Sequence, residues 1–168
     1  MKEGEKVRKI RIGLVIGIFS FLLVSCNSNK IKFNVTEADS NAIVAQNMED
    51  IQNLLRDNQN LIIYKSVNQL EDSFNKKELS FSNQNIKNKY NQDFFKNKAL
   101  IIFYNVDSRC GFDYKFKSLV IDNDKLVLNI TIDESGDGAT VLNPRLFFIE
   151  INQDLVKNYD KIEYNLID

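Results

Sequence analysis

The chain has 168 residues, with 22 Lys and Arg against 23 Asp and Glu, a net charge of −1 and no histidine. That balance argues against a nucleic-acid binder, which carries a basic excess. The missing imidazole excludes histidine-based triads, histidine-ligated zinc and the usual general base near neutral pH, and two cysteines, Cys26 and Cys110, are too few for a disulfide framework.

Five basic residues between Lys2 and Arg11 precede an uncharged run of 14 residues, Ile12 to Ser25. A helix needs about 20 residues to span a bilayer, so this order reads as a removed export signal over residues 1–25. The run ends in Leu23-Val24-Ser25-Cys26, which resembles the bacterial lipobox. The resemblance implies cleavage before Cys26 and a diacylglyceryl thioether with further acyl (palmitate-type) modification on that cysteine. Two chains suffice for stable anchoring where one does not. The expected location is the outer face of the cytoplasmic membrane, or an outer membrane where one exists. Cleavage leaves 143 residues, with seventeen basic side chains against twenty-one acidic ones. That length suits a single domain with a real core.

Residues 26–39 are polar and read as a lipidated tether, reaching at most about 40 Å. A single globular domain is expected over 40–168. Between Ser40 and Asp57 the spacing of Val44, Met48, Ile51 and Leu55 predicts an amphipathic helix. Leu61 to Tyr64 suits a strand. Ser66 with Gln69 forms a capping-box pattern for a helix bearing Val67, Leu70 and Phe74. Residues 76–98, with six Lys against Glu78 and Asp93, predict loops and a short helix around Tyr90 to Phe95. The remainder is strand-like. Ala99 to Val106 is apolar enough for burial on both faces. Phe112, Tyr114 and Phe116 alternate with polar residues, and Leu126 to Ile132 alternates after the turn Asp122-Asn123-Asp124. Two further strands are expected at Arg145 to Ile151 and Ile162 to Leu166. The predicted class is α+β, mainly β: a small antiparallel sandwich or open barrel, immunoglobulin-like in style, with one or two capping helices.

The three glycines beyond the signal lie in two loops, 107–111 and 133–138. If their flanking strands pair, both loops fall near one end of the scaffold, where recognition usually resides. Ser108, Arg109, Gly111, Asp133, Gly136, Asp137 and Gly138 are therefore the candidate partner-binding residues. Cys110 beside Arg109 has the cation that activates a thiol but no histidine to act as base, so it reads as structural. Asp133, Ser135, Asp137 and Gly138 match the opening of an EF-hand, but Pro144 occupies the twelfth position where a bidentate Glu belongs. The EF-hand is rejected, and a solvated acidic turn is preferred to a weak calcium site. No catalytic residue, cofactor or metal site is predicted. The 76–98 segment carries a net +4, which suits either a solvated surface or contact with anionic headgroups.

Asp93-Phe94-Phe95 leading into Ala99 to Tyr104, Ser108-Arg109-Cys110-Gly111 before Phe112-Asp113-Tyr114, and Pro144 followed by Phe147 to Ile151 together resemble the C-terminal domain of the protease-complex subunit PrcB and related lipoproteins. The resemblance covers 60–151. The family's middle turn typically reads Ser/Thr-Gly-Gly-Tyr, and here only Ser108, Gly111 and the aromatic Phe112 correspond. It implies a non-enzymatic lipoprotein that binds or stabilises another envelope protein, such as a protease. A loop-mediated protease inhibitor is the alternative, and no nucleic acid is expected as a partner.

Overall fold

The computed structural model describes residues 30–39, 41–45, 60–76, 79–82, 84–107, 112–134 and 143–167. Among them the order is β1 (Lys30–Ile31), β2 (Phe33–Ala38), β3 (Ile43–Ala45), β4 (Leu61–Tyr64), helix α1 (Val67–Lys76), β5 (Leu79–Phe81) and helix α2 (Gln84–Lys89). A 3-10 turn at Phe94–Lys96 leads to β6 (Lys98–Asp107), β7 (Phe112–Asp122), β8 (Lys125–Glu134) and β9 (Asn143–Asn152). A second 3-10 turn at Gln153–Leu155 precedes β10 (Ile162–Leu166). The fold is mixed α+β with three sheets, ordered β1-β7-β8-β10, β2-β9-β6-β4 and β3-β5.

The strand β6 organises the interior because its residues are apolar on both faces. Ala99, Ile101 and Phe103 meet Leu119, Leu126, Leu128 and Ile130 of the other four-stranded sheet in one apolar cluster. Leu100 and Ile102 face the opposite way, into a second cluster with Leu70 and Phe74 of α1, Tyr90 and Phe95. The strand β9 divides likewise, Phe147, Ile149 and Ile151 to the first cluster and Leu146 and Phe148 to the second. The β2-β9-β6-β4 sheet is thus a middle layer. Local signals act as expected at α1, where the Ser66 hydroxyl accepts the Gln69 N–H at 3.2 Å and the Gln69 side chain accepts the Lys65 N–H at 2.8 Å. The β7–β8 hairpin turns through Asn123 and Asp124, at φ 44° and 64°, the paired positive values that match strand twist.

Four expectations change. Residues 30–38, read as tether, are strands: Ile31, Phe33 and Val35 alternate with polar residues, β1 pairs with β7, and β2 pairs with β9. Within the expected helix 40–57, Ile43–Ala45 is instead a strand paired with β5; residues 46–59 lie outside the described residues. The short helix of the lysine-rich segment is α2, which ends just before the expected position around Tyr90 to Phe95, with only a 3-10 turn at Phe94–Lys96. The sheets are not wholly antiparallel, because β10 runs parallel to β8. Each connection from β8 through β9 to β10 reverses the chain while changing sheet, so the third strand returns in the direction of the first. Among the described residues neither four-stranded sheet closes on itself, since β1 and β10 edge one and β2 and β4 the other.

Candidate functional site

Strand register places the stems of the two glycine-bearing loops together. Asp107 pairs with Asn143, and Phe112 pairs with Glu134, so β6 and β8 end, and β7 and β9 begin, at the same end of the two sheets. The sheets are fastened there by Arg145. Its Nη1 donates to the Phe112 carbonyl across the gap at 2.6 Å, and its Nε pairs with Glu37 Oε1 at 2.6 Å. The guanidinium also lies over the Tyr114 and Phe147 rings, at 5.7 and 5.6 Å. Asn105 donates to the Tyr114 hydroxyl between the same two sheets. This planar, five-donor group bridges three strands, a task a lysine ammonium could not repeat.

Of the expected site residues, only Asp133 is among the described ones. It is exposed and paired with Lys115 across the β7–β8 ladder. The hydrogen bond and charge of Lys115 hold its carboxyl below the usual aspartate range and raise the lysine in return. Asp133 thus serves a cross-strand pair, which weakens its case as a cation ligand. Ser108, Arg109, Cys110, Gly111, Gly136, Asp137 and Gly138, and the lipid-attachment candidate Cys26, lie outside the described residues. Among the described residues no three carboxylate, cysteine or histidine side chains converge on a metal-sized point. No helix among them is long and apolar enough to cross a membrane.

Sequence reasoning missed a second polar cluster. Glu150 of β9, 9% exposed, is the one charged side chain in the buried set of described residues. Its carboxylate accepts Lys89 Nζ at 2.7 Å and Lys98 Nζ at 2.8 Å. Burial pushes the Glu150 carboxyl upward, but hydrogen bonds and charge from both lysines outweigh it and hold the group below its ordinary value. Lys89 is raised chiefly by its hydrogen bond to Glu150. The buried Tyr90 hydroxyl lies against this pair without a hydrogen-bond partner of good geometry among the described residues, and burial raises its pKa. Lys89 and Tyr90 also border a cleft of about 450 Å³, walled by Thr36, Asp39, Asn41 and Ser82. The signal for this cluster was a lone Glu in an apolar strand, which demands a cationic partner.

No family model, no curated protein and no solved structure matches this chain.

Proposed function

We propose that this protein is a membrane-anchored, extracytoplasmic lipoprotein without chemistry of its own, which binds or stabilises another envelope protein, such as a protease, through the loops 107–111 and 133–138. The observation that carries the binding reading is the register that brings the stems of both loops to one end, where Arg145 cross-braces them. A rigid stem lowers the ordering cost of recognition. Anchoring rests on the lipobox-like Leu23-Val24-Ser25-Cys26. The two four-stranded sheets are read as the leaves of an open sandwich, because residues of both fill one apolar cluster. The likeness to the PrcB family supports the same reading through its sequence motifs alone.

Affinity capture from solubilised membranes tests the proposal. A stable partner in fixed stoichiometry, lost with Arg109→Ala or Asp137→Ala at unchanged thermal stability, is the expected result. Dose-dependent loss of a protease's activity would favour the inhibitor alternative. Undiminished capture by both variants would remove the loops from the proposal.

A further inference from the structure

The register also fixes which end of the domain the N-terminal segment leaves from. Lys30 pairs with Val120, two residues before the hairpin turn, and Phe33 pairs with Ile151. Lys98 pairs with Asn152, the Gln153 N–H donates to the Asn97 carbonyl at 3.0 Å, and the Leu126 N–H donates to the Lys161 carbonyl at 3.0 Å. These contacts gather Lys30, the turn at 123–124, the start of β6 and the 152–161 connection at one end. The glycine-bearing loops spring from the other, nine residue steps away along β9, or about 30 Å.

Chain length and charge then act together. Because Lys30 already lies in a strand, only four peptide links separate strand structure from Cys26, a reach of about 14 Å. A tether this short keeps Lys30 within about 14 Å of the acylated cysteine, so the end of the domain that carries Lys30 is the membrane-proximal one. The stretches that form the turn end, 30–33, 93–98, 122–126 and 152–163, hold seven lysines against six carboxylates. The described stretches at the loop end, 36–39, 105–107, 112–113, 133–134 and 143–145, hold six carboxylates against Arg145 alone. An anionic leaflet repels the loop end and tolerates the turn end. We infer that the turn end rests on the headgroups of an anionic phospholipid bilayer and holds the loop end about 30 Å above them. This inference rests on the lipid at Cys26 and adds the orientation in which a partner meets the loops.

The test uses the full mature lipoprotein with Cys110→Ser, reconstituted into phosphatidylcholine and phosphatidylglycerol vesicles containing a nickel-chelating lipid. A spin label is placed at Lys161→Cys on the turn end or at Asp113→Cys on the loop end, both exposed positions; Lys157→Cys reports the same end as Lys161 should that variant misfold. Relaxation by headgroup nickel is expected to be severalfold stronger at the turn end. Equal relaxation, or stronger relaxation at Asp113→Cys, in protein that floats with the vesicles overturns the orientation alone. Protein that does not float with the vesicles overturns the anchoring beneath it.

Discussion

Replacing Glu150 with Gln keeps the shape of the side chain and removes its charge. The carboxylate is nearly out of water, whereas Lys89 and Lys98 are each about half exposed, at 49% and 46%. Hydrogen bonds to a charged group contribute roughly 1.5–3 kcal/mol each when desolvated. Two such bonds, discounted by about half because the lysines keep much of their hydration, give a cost near 2 kcal/mol at neutral pH. For a domain of this size that corresponds to a Tm lower by about 6 °C. The depressed Glu150 pKa sets the pH dependence. Its contribution is fully present above the unfolded-state value, about 4.3, and is lost as pH falls through the lower folded-state value. Thermal melts of the two proteins should therefore differ most at neutral pH and converge in acid. A Glu150→Gln protein as stable as the parent at pH 7, or a gap that persists unchanged below the folded-state pKa, would refute this account of the cluster.

Tyr90→Phe removes a hydroxyl that is buried without a well-formed hydrogen bond, so it should leave stability unchanged or raise it by up to about 1 kcal/mol, read by denaturant melts; a clear loss would mean the hydroxyl is satisfied. Deleting the exposed Lys117 removes the β-bulge between Phe116 and Ser118 and leaves the core residues of β7 facing inward, so unfolding should stay cooperative with a loss of about 1 kcal/mol or less. Deleting Lys115 instead turns Phe112 and Tyr114 outward, at about 1.5–3 kcal/mol for each aromatic side chain exposed; equal behaviour of the two deletions in urea would contradict the assigned register. Cys26→Ser should abolish lipid labelling and move the protein out of the membrane fraction, and unchanged labelling would place the lipid elsewhere.

Much of the β architecture is local in origin and hence legible. Consecutive apolar residues from Ala99 to Phe103 require two apolar surroundings, and β6 has both. Asp122-Asn123-Asp124 sits where residues tolerant of positive φ are needed, and the hairpin forms there. The bulge was also written in the chain: the core-facing set Phe112, Tyr114, Phe116 slips phase to Leu119 and Ile121, and one extra residue at Lys117 restores the face. The N-terminal strands were hidden by composition. Val35 and its polar neighbours are mostly exposed at a sheet edge, so the apolar alternation of Ile31, Phe33 and Val35 carries little weight against so many polar residues. Pairing of Ile43–Ala45 with Leu79–Phe81 has no local signature at all. Helical spacing around Val44 competes with a long-range partner that propensity cannot see.

The candidate sites divide along the same line. Glycines announced the two loops, but only register could place their stems at one end, since Asp107 and Asn143 are separated by a whole hairpin in sequence. Glu150 gave the opposite problem: a charge within an apolar run demands a partner, yet Lys98 lies fifty-two residues upstream and six lysines crowd that segment. Of the two features, the Glu150 cluster satisfies itself. Two ammonium groups meet one carboxylate, and removing either partner is predicted to cost stability, which is the behaviour of a structural pair within the α-layer. Arg145 differs in what it serves. Its contacts hold three strands in place at the end where the stems of both glycine-bearing loops meet. On the proposed reading, the two loops together carry four carboxylates against Arg109, so a partner that binds them would present a basic surface, and capture that weakens steeply with added salt would be its signature.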